Sequence, residues 1–462
     1  MSRVFADPTP DAIPIHFVTP ERWSQTEAEL PERARAFANA SGFAPKAGRM
    51  LLVPGDDGAI SRVLFVLGRA DARDGDPFLP GDLATRLPAG TYRFANAPHD
   101  AALAALAFLL SGYRFDRYKL SQNDLPRLVA PGGVDRAELE RIAAAVALGR
   151  DLINTPANDL GPQALEDAIV GLADEHGSSC TIVRGDDLLA HNFPLLHAVG
   201  RAAAEPPRIV GFHFGPENAP KVTLVGKGVC FDTGGLDIKP SAGMLIMKKD
   251  MGGAATALAL ASMIMDAKLP LRLRVIIPIV ENAIAGNAFR PGDIYRSRKG
   301  LTVEIGNTDA EGRLILADAL ALADEEEPDL LFDFATLTGA ARVALGPDLP
   351  PMYSDDDALA ATCLKHGRTV HDPVWRMPLW SPYDKLLDGK ISDLVNVSSG
   401  PFAGSITAAL FLRRFVERAK AWAHFDVYAW MPKTLPGRPE GGEVQVARLL
   451  FSMLADRCAQ AR

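Results

Sequence analysis

The chain has 462 residues, and its 49 basic and 57 acidic side chains give a formal net charge of −8. Hydrophobic residues make up 48% and charged residues 23%, a composition that is typical of a folded globular protein and excludes a disordered one. The acidic balance argues against a general nucleic-acid binder, because phosphate contacts need a clustered excess of Lys and Arg. At ~100–200 residues per domain, the length predicts two or three domains.

The sequence shows no sign of a membrane or secreted protein. Its most apolar stretches, 101–110 and 254–265, are well short of the ~20 residues that a spanning helix needs. The N-terminus has no basic segment followed by an apolar one, so no secretory signal is predicted. The 4 cysteines are widely spaced, which predicts neither a disulfide framework nor a zinc knuckle. We therefore expect a cytoplasmic protein with no membrane partner.

The first part of the chain has a mixed pattern of its own. The apolar run 63–68 predicts a buried strand, and the Ala- and Leu-rich segment 101–112 predicts a helix. A Pro-Gly-Gly break at 131–133 is followed by a helical pattern over about 135–152, which ends before a proline at position 156. We interpret 1–130 as a small α/β domain and 131–155 as a connecting helix.

From about residue 150 onward, strand and helix patterns alternate. Strands are predicted at 209–214, 222–226, 275–280 and 330–334, and helices at 254–267, 314–327 and 405–418. This alternation favours an α/β fold in which helices flank a sheet, and we assign it to a larger domain over 156–462. Sites in such folds form at the carboxyl ends of strands, so candidate chemistry is sought there.

One polar, glycine-rich segment follows the predicted strand 222–226. It reads GKGVCFDTGGLDIKPSAGMLIMKKDMGGAA over 226–255 and contains Lys227, Asp232, Lys239 and Asp250. It lacks both the GxxxxGK[ST] pattern of a phosphate loop and the GxGxxG pattern of a dinucleotide site. Taken alone, Asp250 fits the N-cap of the helix that follows it.

A second polar segment, GNTDAEGRL over 306–314, follows a predicted strand at 303–305. Asp309 and Glu311 lie just before a predicted helix, and TDAE fits the capping-box pattern with Glu311 at its third position. Arg313 is placed on the same helix face as Asp309, with which it would pair. Taken alone, this segment is explained by helix capping.

The two segments together predict a metal site. If Asp232, Asp250, Asp309 and Glu311 converge at the ends of neighbouring strands, four like charges would repel strongly unless cations compensate them. Paired divalent ions bridged by carboxylates would do so, and carboxylates alone do not distinguish Zn²⁺, Mn²⁺ and Mg²⁺. No HExxH occurs, so a histidine-ligated single-zinc protease is not predicted.

At these residues the sequence resembles the leucyl aminopeptidase (cytosol aminopeptidase) family of dinuclear metallopeptidases. NTDAEGRL matches the family signature, and the segment 226–255 matches its other metal-binding segment at the same internal spacing. Further matches follow in the expected order from 154 to 412: NTPAND, ENAIAGNAFRPGD, DFATLTGAA and GSITAALFL. The resemblance implies a catalytic domain with a mixed sheet flanked by helices, and a smaller, variable N-terminal α/β domain.

The resemblance also implies a role for each polar residue. Two divalent ions, Mn²⁺ or Zn²⁺ with Mg²⁺ as an alternative, would share five ligands: Lys227, Asp232, Asp250, Asp309 and Glu311. Asp232 and Glu311 would bridge both ions. Lys239 would stabilise the oxyanion of the tetrahedral intermediate, and Arg313 would hold a bicarbonate-like anion that acts as general base.

The implied reaction is hydrolysis of the N-terminal peptide bond of peptides that have a free α-amine. The positions that match the family's substrate pocket are Met247, Thr336, Leu337, Gly339 and Met431, which core packing would also explain. Tyr428-Ala429-Trp430-Met431 departs from the family, which often has small residues there. A large ring near the pocket would narrow it, so the preferred first residue stays open.

Several alternatives stay open from the sequence. A dipeptidase, for example one acting on Cys-Gly, would use the same metal site. A DNA-binding regulator is a second alternative, which the −8 charge and the absence of a basic run disfavour. A catalytically inactive relative is a third, although all seven polar positions are retained. The resemblance further implies a homo-hexamer, built as a dimer of trimers.

Overall fold

A computed structural model describes residues 4–69, 75–120 and 124–460 of the chain. The chain forms two compact units. One comprises residues 1–147 and 433–440, and the other comprises 148–432 and 441–462. The boundaries that the sequence predicts at residues 130 and 156 stay a prediction. No helix in the described ranges combines the length and the apolar character that crossing a bilayer requires.

The first unit is built on one five-stranded sheet. Its strands are β1 (Ile13–Val18), β2 (Met50–Pro54), β3 (Ile60–Val66), β4 (Thr91–Phe94) and β5 (Arg127–Leu128), in the order β2-β3-β1-β4-β5. Its helices are α1 (Trp23–Glu29), α2 (Glu32–Ala40), α3 (Leu83–Arg86) and α4 (Ala101–Ser111). The predicted strand at 63–68 and helix at 101–112 correspond to β3 and α4. This unit is the expected smaller α/β part of the molecule.

A long helix, α5 (Arg136–Asn154), continues from the first unit into the second. It matches the helical pattern predicted over 135–152. The helix ends before Pro156, whose ring disfavours a helical conformation at the residue that precedes it. The side-chain hydroxyl of Thr155 donates to the carbonyl of Asp151 at 2.7 Å and so satisfies one of the last helical acceptors.

The remaining helices and strands belong to the second unit. Its helices are α6 (Pro162–Glu175), α7 (Asp187–Ala190), α8 (Pro194–Gly200), α9 (Ser241–Met244), α10 (Gly252–Asp266), α11 (Glu311–Asp324), α12 (Gly339–Leu345), α13 (Asp357–Thr369), α14 (Gly404–Arg413) and α15 (Ala447–Gln460). Its strands are β6 (Cys180–Arg184), β7 (Arg208–Phe214), β8 (Lys221–Gly226), β9 (Gly228–Asp232), β10 (Arg272–Asn282), β11 (Ile294–Arg296), β12 (Thr302–Glu304), β13 (Leu330–Ala335), β14 (Pro351–Tyr353), β15 (Trp375–Arg376), β16 (Leu394–Val395), β17 (Trp422–Asp426), β18 (Trp430–Met431) and β19 (Gly441–Gly442).

A nine-stranded mixed sheet forms the centre of this unit, in the order β15-β14-β17-β13-β8-β10-β7-β6, with β9 paired to β10. The inner strands β17, β13, β8 and β10 run parallel, whereas β7 pairs antiparallel with β10 and β14 pairs antiparallel with β17. Helices α10 and α11 pack against β8, β10 and β13. The predicted α/β architecture, with a mixed sheet flanked by helices, is confirmed.

The structure corrects two details of the predicted elements. The strand predicted at 303–305 is β12, which lies in a separate three-stranded sheet with β11 and β16 and not beside β8. The helix predicted over 405–418 ends at Arg413. The carboxylate of Asp324 accepts the backbone N–H groups of 417–419, which holds that segment outside the helix.

Candidate metal centre

Lys227 lies in the one-residue connection between β8 and β9, and its side chain is only 3% exposed. Its Nζ donates to the carbonyl of Thr336 at 3.0 Å. The same nitrogen lies 2.7 Å from Asp250 Oδ2 and 2.9 Å from Glu311 Oε1. The lysine passes close to Gly312, where an added Cβ would lie 2.7 Å from Nζ. Only glycine at 312 therefore leaves this side chain in place.

Asp232 ends β9 and is 2% exposed. Its Oδ1 accepts hydrogen bonds from the backbone N–H of Gly234 at 2.8 Å and from Asn282 Nδ2 at 2.9 Å. Its Oδ2 lies 2.7 Å from the Nζ of Lys239, a side chain that keeps 15% of its surface exposed. Asp232 is thus held through one oxygen, while the other faces the cationic end of Lys239.

Asp250 lies in a 3-10 helix, Met247–Met251, that leads into α10. Its Oδ1 accepts from the hydroxyl of Thr336 at 2.7 Å. The N-cap residue of α10 is Met251, which makes no side-chain capping bond, so the capping alternative for Asp250 is wrong. The side chain is held by a residue of the loop after β13 and not by the helix end next to it.

Asp309 and Glu311 precede and begin α11. The N-cap is Ala310 without a side-chain capping bond, so the capping-box alternative is wrong as well. Glu311 is 1% exposed, and neither of its carboxylate oxygens accepts a hydrogen bond from the described residues. Asp309 keeps 34% of its side chain exposed, and its Oδ1 contacts Lys239 Nζ. Neither carboxylate therefore caps the N-terminus of α11.

The structure brings the predicted ligands together. Carboxylate oxygens of Asp232, Asp309 and Glu311 all lie within 4.8 Å of one another. Asp250 joins this group through Lys227, whose Nζ lies between the carboxylates of Asp250 and Glu311. The polar segments 226–255 and 306–314 therefore meet in the fold. The first includes β9 of the central sheet, whereas the second follows β12, which lies in the separate three-stranded sheet.

The electrostatics of this group fit divalent cations. Burial, followed by the charge of Asp232, raises the pKa of Glu311 to about 7. Burial alone would lower the pKa of Lys227, but the carboxylates of Asp250 and Glu311 raise it. In the described part of the chain, buried oxygens of Asp250, Asp309 and Glu311 lack hydrogen-bond partners. Their close partners are the ammonium groups of Lys227 and Lys239, and buried carboxylate oxygens whose main partners are cations are the kind of ligand that divalent ions take.

Arg313 lies on the same helix as Glu311 and is 6% exposed. One guanidinium nitrogen donates to the carbonyl of Asn396 at 2.6 Å, while its Nε has no hydrogen-bond partner among the described residues. Burial lowers the pKa of Arg313 to about 10. Within the described ranges it forms no ion pair with Asp309, so the predicted helix-face pairing is wrong; the guanidinium is anchored by Asn396 instead.

Two of the predicted pocket residues, Met247 and Thr336, lie beside Asp250. Met247 begins the 3-10 helix that carries Asp250, and the Thr336 hydroxyl binds that carboxylate. The backbone N–H of Leu337 donates to Asp426 Oδ1 at 3.0 Å. Gly339 begins α12 and is exposed, whereas Met431 ends β18 and is 1% exposed. Their role in binding substrate stays a prediction, as does the alternative of core packing.

Two positioning residues were not singled out from the sequence. Asn282 is fully buried at the end of β10, and its Nδ2 donates both to Asp232 and, at 3.1 Å, to the carbonyl of Thr308. The Thr308 hydroxyl donates to the carbonyl of Gly234 at 2.7 Å and accepts from the N–H of Asp237 at 2.9 Å. These bonds tie the loop after β9 to the segment that carries Asp309. Asn282 lies in the ENAIAGNAFRPGD motif and Thr308 in NTDAEGRL, and this was the sequence signal that could have identified them.

A largely buried acidic cluster beside the central sheet of an α/β fold, with lysines among the carboxylates, is typical of a metal-dependent hydrolase. The model of the cytosol aminopeptidase family's catalytic domain matches residues 147–451, and that of the M17 aminopeptidase N-terminal domain matches 13–131. The chain belongs to the cytosol aminopeptidase family and is a metal-dependent aminopeptidase. The resemblance that the motifs indicated is confirmed.

Individual relatives agree with this assignment. The chain is 42% identical over 381 residues to a probable cytosol aminopeptidase of Syntrophotalea carbinolica, covering 78% of this chain and 76% of that protein. It is 37% identical to a probable cytosol aminopeptidase of Stenotrophomonas maltophilia, over 96% and 95% of the two chains. The relatives do not favour the alternatives of a dipeptidase or a DNA-binding regulator.

Solved structures show the same fold over nearly the whole chain. The cytosol aminopeptidase of Coxiella burnetii superposes with a TM-score of 0.93 at 44% identity, covering 98% of both chains. The bottromycin maturation enzyme BotP, solved in complex with Mn, superposes with a TM-score of 0.86 at 34% identity, covering 96% of this chain and 99% of BotP. The similarity therefore includes both units of this chain.

Proposed function

We propose that this aminopeptidase works with two divalent ions, Mn²⁺ or Zn²⁺ with Mg²⁺ as the alternative, and releases leucine-type residues from peptide N-termini. The proposed ligands are Asp232, Asp250, Asp309 and Glu311, together with Lys227, which can coordinate an ion only as a neutral amine and must lose its proton when the ion binds. The observation that supports this most is the set of buried carboxylate oxygens without hydrogen-bond partners in the described part of the chain. The Mn complex of BotP, a relative with the same fold, supports manganese as one of the metals.

When bound, the ions would polarise the scissile carbonyl and lower the pKa of attacking water. Lys239 supplies the neighbouring charge. Its Nζ lies 2.7 Å from Asp232 Oδ2 and contacts Asp309, and 15% of its side chain remains exposed. An ammonium that is both held by two carboxylates and accessible is placed to stabilise the negative oxygen that develops on the substrate carbonyl.

Arg313 is the proposed holder of a bicarbonate-like anion. Its buried Nε lacks a hydrogen-bond partner within the described residues, although the bond to Asn396 fixes the guanidinium. A guanidinium offers parallel N–H donors that match a planar oxyanion, and burial strengthens that attraction. Such an anion would accept the proton that water loses and pass it to the leaving amine.

A substrate panel tests the reaction. Leucine amide should be hydrolysed, whereas N-acetyl-leucine amide should lose at least about 100-fold in kcat/KM, because blocking the α-amine removes a buried polar contact. The tripeptide Leu-Gly-Gly should be cleaved from its N-terminus with release of leucine, measured by chromatography. Efficient cleavage of the acetylated substrate would contradict the proposal, as would activity confined to dipeptides such as Cys-Gly.

The proposed partners are peptide substrates and further copies of this chain, in a cytoplasmic homo-hexamer. Val343, Phe402 and Leu245 of the second unit are 91%, 82% and 81% exposed, and packing them against further copies would remove that apolar surface from water. Neither a membrane nor a nucleic-acid partner is proposed for a chain of charge −8. Light scattering should give the mass of six 49.5-kDa chains, and the mass of one chain would contradict the hexamer.

A further inference from the structure

Tyr428 contacts two cationic side chains that come from other segments of the second unit. Lys249 Nζ lies 4.9 Å from the centre of the Tyr428 ring, and Arg342 Cζ lies 4.8 Å from it. Lys249 belongs to the 3-10 helix that begins with Met247, and Arg342 lies three residues after Gly339 on α12. Tyr428 itself lies three residues before Met431. Each of the three segments that carry the predicted pocket residues thus contributes one member of this cluster.

Lys249 is buried without an anionic partner. Its side chain is 1% exposed, and among the residues that the structure describes its nitrogen makes no hydrogen bond and no ion pair within 4 Å, although the charges of Asp250 and Asp426 act on it from further away and the Tyr428 ring lies beside it. Its neighbour Lys248, by contrast, donates to the carbonyl of Asn154 at 2.6 Å. Burying a lysine side chain without a carboxylate close to its nitrogen costs folding free energy. A ligand that brings an acidic group to this nitrogen would offset that cost.

Arg342 is also weakly engaged. It is half-buried, its Nη1 donates to the carbonyl of Thr338 at 3.4 Å, and within the described ranges it forms no ion pair. The nearby carboxylates are already occupied. Asp250 faces Lys227 and Thr336, while Asp426 accepts from the N–H groups of 337 and 338 and from the Thr338 hydroxyl. Lys249 and Arg342 therefore have N–H donors that no carboxylate of the described residues accepts.

The position of the ring is fixed by its backbone. The N–H of Tyr428 donates to Gln445 Oε1 at 2.9 Å, and the next residue, Ala429, has a φ of 57°. An alanine in this left-handed region is strained, which its surroundings must enforce. Ala429 packs directly against Gly252 at the start of α10, where a larger residue would collide with it. The strained backbone of Ala429 thus accompanies the placement of Tyr428 beside the segment that carries Asp250.

We propose that Lys249, Arg342 and Tyr428 select an acidic side chain, Glu or Asp, at the first residue of the peptide. The substrate carboxylate would accept from the Arg342 guanidinium and from Lys249, whose nitrogen carries N–H donors whether or not it is protonated. The ring would narrow the space beside this pair, so leucine substrates would be cleaved less efficiently than those with Glu or Asp. This inference rests on the proposed function and changes only its preferred first residue, from leucine-type to acidic.

The test compares Glu and Gln p-nitroanilides, which are nearly equal in size and differ in charge. We expect kcat/KM to favour Glu over Gln by about tenfold or more, because charge-assisted hydrogen bonds are the stronger kind. The variant Arg342→Met should bring the Glu/Gln ratio close to one through a larger loss of kcat/KM for the Glu substrate than for the Gln substrate, and Lys249→Met should lower the ratio in the same direction. Arg368→Met, which removes an exposed arginine from α13, is the matched control and should keep the wild-type ratio.

The outcomes separate this inference from the proposed function. A Glu/Gln ratio at or below one in an enzyme that hydrolyses other aminoacyl substrates would overturn the acidic preference alone. A preference for Glu that survives both Arg342→Met and Lys249→Met would overturn the assignment to this cluster. No hydrolysis of any unblocked substrate by metal-loaded enzyme would overturn the proposed function itself.

Discussion

Replacing Asp309 and Glu311 together with alanine is expected to abolish measurable hydrolysis of leucine amide and to remove bound metal. Both side chains contribute oxygens to the three-carboxylate cluster, and the close partner of Glu311 among the described residues is Lys227, itself a proposed ligand. Even groups outside a ligand set cost 10–100-fold when mutated, so losing two ligands should exceed about 100-fold in kcat/KM. Elemental analysis of the purified variant measures the metal directly.

The matched control is Asp174→Ala with Glu175→Ala. It removes the same two residue types from the exposed end of α6 and should leave metal content and activity at the level of the unmodified enzyme. Circular dichroism of both double variants checks that each is folded. Full activity in the Asp309 and Glu311 variant would show that these carboxylates are not ligands and would defeat the proposed site.

Removing divalent ions with a chelator is expected to abolish activity and to lower the midpoint of thermal unfolding. Without ions, carboxylates that lie within 4.8 Å of one another repel, and their ion-pair partners among the described residues are Lys227 and Lys239. Ions that bind the folded state alone stabilise it, by about 2.7 kcal/mol when their free concentration is a hundred times the Kd. Adding Mn²⁺ or Zn²⁺ back should restore both the activity and the midpoint.

The carboxylate variant provides the control for this experiment. If the ions stabilise the protein through the proposed ligands, the Asp309 and Glu311 double variant should show no rise in its unfolding midpoint when Mn²⁺ or Zn²⁺ is added. Calorimetric scans at matched ion concentrations measure this. Undiminished hydrolysis by protein that elemental analysis finds free of metal would contradict a metal-dependent reaction.

Buried strands were the elements that the sequence predicted best. The runs at 209–214, 222–226 and 330–334 are continuous and apolar because the strands β7, β8 and β13 are largely buried, and their bounds shift by one or two residues at most. The order of the strands in the sheet was not predictable, because pairing between distant segments leaves no local signal. For the same reason the expectation that the carboxylates follow neighbouring strands is wrong for β12, which pairs with β11 and β16.

The candidate site was predictable as a set of residues but not as an arrangement. Locally, Asp250 and Glu311 fit helix capping as well as metal binding, and only the fold decides between these roles. The hydroxyl of Thr336, which is 86 residues away in sequence, donates to Asp250 Oδ1. Glu311 forms an ion pair with Lys227. The hydrogen bond from Arg313 to the carbonyl of Asn396 joins residues 83 positions apart, so no local sequence pattern predicts it either.

The Thr336 hydroxyl has a consequence for attempts to redesign this enzyme. It lies 2.7 Å from Asp250 Oδ1 and 2.9 Å from the Asp250 carbonyl oxygen, so a residue proposed to line the pocket also holds a proposed metal ligand. If both proposals hold, libraries that vary position 336 would mix altered selectivity with weakened ion retention and should be screened at saturating ion concentrations. Positions 342 and 428 make no hydrogen bond to a proposed ligand carboxylate in the described chain, so variation there should leave the proposed ligands intact.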